Sequence, residues 1–141
     1  MLFRSYGVGN DPVGLTATSP AVAVPSVADT VNRYVELLGA GSADELAALY
    51  TPDATVEDPV GSGVRHGHDE IRELYSRVEK QDRTVELLSM HVNGNEAAFL
   101  ARLTIITGDV ATRIDGIDVM TFDEQARITS MRAFWSVPNN R

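Results

Sequence analysis

An aspartate stands inside the apolar run Ile117-Asp118-Val119-Met120-Thr121-Phe122. Strand alternation puts Asp118, Met120 and Phe122 on one face and Ile117, Val119 and Thr121 on the other. With the Met120/Phe122 face turned inward, a carboxyl group stands in an apolar wall. Burial disfavours its charged form, so it can stay protonated near neutral pH. The alternative is a solvated face, or a pair with an arginine such as Arg113.

Tyr34 lies on an apolar helical stripe between Val31 and Val35/Leu38. Such a tyrosine is commonly core, its hydroxyl satisfied by a neighbour. Tyr50 and Tyr75 are expected on the inner faces of two further helices, and three linked hydroxyls would strengthen the terminal donor. Asp58 precedes Pro59 at the end of a short extended piece. That position suits a turn former; as a proton acceptor it would need an apolar neighbour and reach into a cavity. His66 and His68 lie in a glycine-flanked loop with no third ligand at a recognisable spacing, and His91 has no evident partner, so no metal site is expected. No serine has a nucleophile elbow or a paired histidine.

The elements that must hold these groups follow from periodicity. Ser26 with Asp29 resembles a capping pair ahead of a helix carrying Val27, Val31, Tyr34, Val35 and Leu38, closed by Gly39 and Gly41. Ser42 with Glu45 opens a second helix, carrying Leu46, Leu49 and Tyr50 up to Thr51-Pro52. Thr55–Asp58 is a short strand, followed by the turn-rich Gly61-Ser62-Gly63. A third helix runs over about Asp69–Lys80. Strands follow at 85–92 and 96–106 around Asn93-Gly94-Asn95, then from Gly108-Asp109 to Phe122, then at 127–137. Helices first and antiparallel strands after indicate an α+β fold, in which three helices pack on a curved antiparallel or mixed sheet and enclose a small apolar cavity. Residues 1–25, punctuated by glycine and proline, are expected to form a flexible extension to a single domain over 26–141.

Composition narrows the ligand. The 141 residues carry 20 Asp and Glu against 12 Lys and Arg, a formal net charge of −8, with a single lysine, Lys80, and no basic cluster. Such a surface repels phosphate backbones, so nucleic acid is not an expected partner. No apolar run is long enough to span a membrane. With no cysteine, disulfides, thiolate-held metals and cysteine nucleophiles are excluded, which fits a reducing compartment such as the cytoplasm. These exclusions leave a small soluble domain acting on an uncharged ligand.

Six stretches together are distinctive: Arg33-Tyr34-Val35; Asp53-Ala54-Thr55-Val56-Glu57-Asp58-Pro59-Val60-Gly61-Ser62; Ile71-Arg72-Glu73-Leu74-Tyr75; Asn95-Glu96-Ala97-Ala98-Phe99; Ile117-Asp118; and Ser130-Met131-Arg132-Ala133. In order and spacing they resemble the bacterial delta5-3-ketosteroid isomerases over about residues 27–137. The resemblance implies the nuclear-transport-factor-2-like cone fold and a homodimer through the outer face of the sheet. It further implies Asp58 as general base, Tyr34 as one oxyanion donor, and Asp118 as a second donor held neutral. A protonated aspartate in the oxyanion hole is the established example set by this family. Tyr50 and Tyr75 correspond to supporting tyrosines, and Trp135, Met120, Phe122 and Ile105 to the apolar wall around a steroid.

The implied reaction uses no cofactor. Removing a C4 proton from a 3-oxo-delta5 steroid gives a dienolate with its charge on O3. One carboxylate can take that proton and return it at C6, while two donors hold O3. Other readings of the same fold are an epoxide hydrolase, a polyketide cyclase, or a non-catalytic module that binds apolar ligands.

Overall fold

A computed structural model describes residues 24–136. The first helix, α1 (Val27–Ala40), starts at a full capping box: Ser26 Oγ accepts from Asp29 N at 3.0 Å, and Asp29 Oδ2 accepts from Ser26 N at 3.1 Å. Its buried stripe is Thr30, Val31, Tyr34 and Leu37. Gly39 lies within the helix, and Gly41 alone caps it. A second capping box, Ser42 with Glu45, opens α2 (Ala43–Ala47).

That helix is much shorter than its periodicity suggests. Tyr50, expected on its inner face, instead begins strand β1 (Tyr50–Glu57), where it pairs in parallel with Ile128. The Ile128 N–H donates to Leu49 O at 2.9 Å, so a strand distant in sequence captures the end of the helix. Pro52 is accommodated because the register shifts between Tyr50 and Thr55, where a missing N–H breaks no ladder bond. The chain then makes a three-residue strand absent from the pattern reading, β2 (Val64–His66), antiparallel to β1, before α3 (Gly67–Glu79).

Four longer strands complete the sheet: β3 (Asp82–Asn93), β4 (Glu96–Thr107), β5 (Val110–Phe122) and β6 (Ile128–Phe134). Gly94 and Gly108 make the two tight hairpin turns, at φ 59° and 62°, a backbone region that disfavours L side chains. The sheet has the order β2-β1-β6-β5-β4-β3, with β1 and β6 parallel and all other neighbours antiparallel. Helices α1 and α3 lie across one face of it, α1 on β3 and β4 and α3 on β1. This is the α+β cone that the order of elements implies. Among the described residues no helix is long and apolar enough to cross a membrane. The expected extension over residues 1–25 falls almost wholly outside the described residues.

The core is packed between helices and sheet at one end of the cone. Val31, Leu46, Val56, Ile71, Met120 and Ile128 are fully buried there. Toward the other end the same inner face opens into a cavity, and that difference along the strands determines where the polar side chains meet solvent or ligand.

Candidate active site

The inner face can be followed across the sheet by register. Asp118 on β5 lies opposite Phe99 on β4 and Ala133 on β6. Alternation then carries this face along β5 through Gly116 to Ile114, and along β4 through Ala101 and Leu103 to Ile105. These residues, with Leu38 from α1, Leu74 and Val78 from α3, and Val85 from β3, line a cavity of about 230 Å³. Its polar lining is sparse: Tyr34, Asp58, Tyr75, Asp118, Gln81 and the indole of Trp135.

Trp135 and Ile105, expected on the wall, do line this cavity; Met120 and Phe122 do not. Both sit on the expected face of β5 but are 0% and 2% exposed within the solid core. Alternation identified their face correctly but not their depth. The row passes from cavity to packed core between Asp118 and Met120, so these two hold the closed end of the cone together.

Asp118 is 9% exposed and is flanked by apolar residues. Burial, and secondarily the charge of Asp58, push its carboxyl up to about 8, so it is protonated at neutral pH. Arg113, the alternative partner, occupies the opposite alternation of β5 and is exposed.

The three tyrosine hydroxyls form a chain. Tyr50 and Tyr75 lie 2.6 Å apart, and Tyr75 donates to Tyr34 at 3.2 Å. Each hydroxyl has one proton, so Tyr50 donates to Tyr75, Tyr75 to Tyr34, and the Tyr34 proton remains for the cavity. The Tyr34 ring is set by edge-to-face contacts with Tyr75 (6.2 Å) and Phe99 (6.0 Å). Burial raises all three tyrosines well above their ordinary value, which keeps them as donors.

Asp58 immediately follows β1. Its Oδ1 accepts the Trp135 indole N–H at 2.6 Å. Burial raises its carboxyl above the usual range, while the Trp135 hydrogen bond and the charge of Arg65 pull it back. It therefore combines a desolvated setting with partial support for its ionised form. Two carboxyl groups thus share one cavity in different settings: Asp118 is held protonated in an apolar wall, and Asp58 has a hydrogen-bond donor and a nearby guanidinium that favour its ionised form.

The family resemblance implies an apolar role only for Trp135; its N–H makes it the partner of Asp58 as well. Sequence reasoning also missed Gly116, where a Cβ would stand 3.1 Å from Trp135 Cβ, close enough that the Trp135 side chain would have to give way slightly. The signal available was alternation from Asp118 back along β5. His66, His68 and His91 do not converge: His68 Nε2 lies 2.8 Å from Tyr50 O, and His66 and His91 are exposed. Among the described residues no three His, Asp or Glu side chains group as metal ligands.

Residues 31–131 match the family model described as a SnoaL-like domain. A curated protein from Nocardioides simplex, named steroid Delta-isomerase, is 44% identical over 106 residues, spanning 75% of this chain and 86% of that one. Among solved structures, that of the epoxide hydrolase/cyclase-like enzyme SalBIII, described for its role in pyran ring formation in polyether salinomycin, is similar with a TM-score of 0.70. It is 28% identical, and the match covers 78% of this chain and 90% of that chain.

Proposed function

The chain belongs to the SnoaL-like domain family and is an isomerase, and we propose that its reaction converts 3-oxo-delta5 steroids to their conjugated delta4 isomers. The observation that carries this reading is the meeting of Tyr34, Asp58 and Asp118 on the lining of one largely apolar cavity.

Asp58, as carboxylate, takes a C4 proton, and the electron pair of that C–H bond moves into the ring system to give a dienolate with its charge on O3. The proton then passes from Asp58 to C6, forming the C6–H bond and leaving the delta4 enone; one base serves both steps. Tyr34 and neutral Asp118 donate to O3 as its charge develops, in a cavity where water does not compete. An ionised Asp118 would lack the proton to donate and would repel the dienolate. Tyr50 and Tyr75 stand behind Tyr34, and their donated bonds make its hydroxyl a better donor. Trp135 and Ile105 contribute apolar wall.

The enzyme acts as a homodimer in this reading. Ile106, Ile117 and Phe134 stand exposed on the sheet face away from the helices and form the apolar surface a second copy would cover. Sedimentation at assay concentration tests this: a dimer mass supports it, a monomer mass removes it.

The reaction is tested by incubating the protein with 5-androstene-3,17-dione and following conjugated-enone absorbance. With substrate deuterated at C4, label recovered at C6 supports transfer by one base. A second reading, epoxide opening or ring closure, is favoured by the likeness to SalBIII. Such a hydrolase would place an arginine and a second ionised carboxylate around an activated water, whereas no arginine lines this cavity among the described residues. Turnover of an epoxide with none of the delta5 steroid would select it.

A further inference from the structure

We propose that Gln81 reads the end of the substrate remote from the enone, selecting steroids that carry a neutral oxygen there; this rests on the isomerase reading above.

The cavity has direction. Its deep end holds Asp118 and Tyr34, against buried Phe99, and from there the lining passes to half-buried Ala101, Leu103 and Ile105 on β4 and half-buried Gly116 and Ile114 on β5. Helix α3 runs the same way. Its cavity-facing residues are Leu74, Tyr75 and Val78, and Gln81 follows just past the helix end. At about 1.5 Å of rise per residue, Gln81 lies roughly 9 Å beyond Tyr75 along that axis. Register gives the same placement independently: Asp82 pairs with Ile106, which puts Gln81 at the Ile105 end of β4. A rigid skeleton with its 3-oxo group held at Tyr34 and Asp118 therefore extends toward Gln81.

Between those ends the wall is aliphatic apart from the Trp135 indole, and among the described residues Gln81 is the one polar side chain of the rim that lines the cavity. Its backbone is pinned. Its N–H donates to Val78 O at 3.0 Å, and its carbonyl accepts from Arg83 Nη1 at 3.1 Å. Arg83 also donates to Leu38 O at 2.6 Å, Gly41 O at 3.0 Å and Glu79 O at 3.2 Å, tying the ends of α1 and α3 together. The guanidinium is thus spent on carbonyls, and the cavity rim presents a neutral amide. Among the described residues the Gln81 side chain makes no hydrogen bond, so both its donor and its acceptor are free for a ligand. An amide pairs with a ketone or a hydroxyl; it offers no counter-charge to a sulfate or carboxylate.

The test compares 5-androstene-3,17-dione with 5-androsten-3-one, which lacks the remote oxygen, on wild type, Gln81→Leu and Gln81→Asn. The wild type is expected to favour the dione in kcat/KM, and Gln81→Leu to raise KM for the dione about fivefold. In that variant kcat stays unchanged and the deoxy substrate is unaffected. Gln81→Asn, which keeps the amide on a shorter stem, should recover part of the preference. An unchanged ratio of the two substrates in Gln81→Leu overturns the role of Gln81 and leaves the isomerase standing. Failure of the wild type to isomerise either steroid overturns the isomerase reading and this inference with it.

Discussion

Trp135 donates its indole N–H to Asp58 Oδ1 across 2.6 Å, joining the residue after the last strand to the residue after the first. A donor at that oxygen stabilises the carboxylate and opposes the burial that raises it. Trp135→Phe keeps an aromatic wall and removes the donor. The acid limb of the kcat/KM profile should move to higher pH, because Asp58 then holds its proton longer. A limb that stays in place would separate Trp135 from the base.

Asp118 has the opposite requirement, since it donates only while protonated. With its carboxyl near 8, activity should fall on the alkaline side as pH passes through about 8. Asp118→Asn keeps a donor that cannot ionise and should lose that limb. Stability carries the same signature. Asp118 ionises near its ordinary 3.8 when unfolded and near 8 when folded. Between those values the folded chain holds a proton that the unfolded chain has lost, so stability declines as pH rises across this window. Urea denaturation at pH 5 and pH 8 should show a smaller decline for Asp118→Asn than for wild type; equal declines would contradict a buried neutral carboxyl.

The tyrosine chain predicts an order of effects. Tyr34→Phe removes a donor to O3 and should lower kcat by roughly 10²- to 10³-fold. Tyr50→Phe removes only the far end and should cost about threefold, since polarisation through a hydrogen-bond chain is a modest effect. Turnover measured at one pH distinguishes them. A Tyr50→Phe loss equal to that of Tyr34→Phe would mean that the chain acts by holding the fold.

Met120 offers a contrast between core and cavity. Met120→Ala in fully buried packing should destabilise the protein by about 2–5 kcal/mol. KM of the folded fraction should stay near wild type, because Met120 does not line the cavity. A large KM change with little loss of stability would return Met120 to the wall.

What the chain reveals of itself divides along local and distant interactions. The capping boxes at Ser26 and Ser42 and the α1 stripe are legible because each involves residues within a turn or two. Periodicity puts Tyr50 on a helix because the partner that draws it into a strand, Ile128, is remote in sequence. Strand β2 is too short to show a period. Alternation correctly assigned the face of Asp118, Met120 and Phe122, but a period of two gives no depth, so it could not show where cavity gives way to core. The Asp58–Trp135 contact spans 77 residues and turns on an N–H that apolar patterning ignores. Gly116 shares the parity of Asp118 on β5, but only the enclosing geometry shows what that place does, and Gln81, just past a helix end, carries no pattern signal at all.

The most direct test is Asp58→Asn in the delta5-to-delta4 steroid assay, with binding of a phenolic steroid measured in parallel. Loss of the general base should lower turnover by about 10²- to 10⁴-fold while the phenol still binds. A variant that isomerises at the wild-type rate would contradict the assignment of Asp58 as the base, and with it the proposed mechanism.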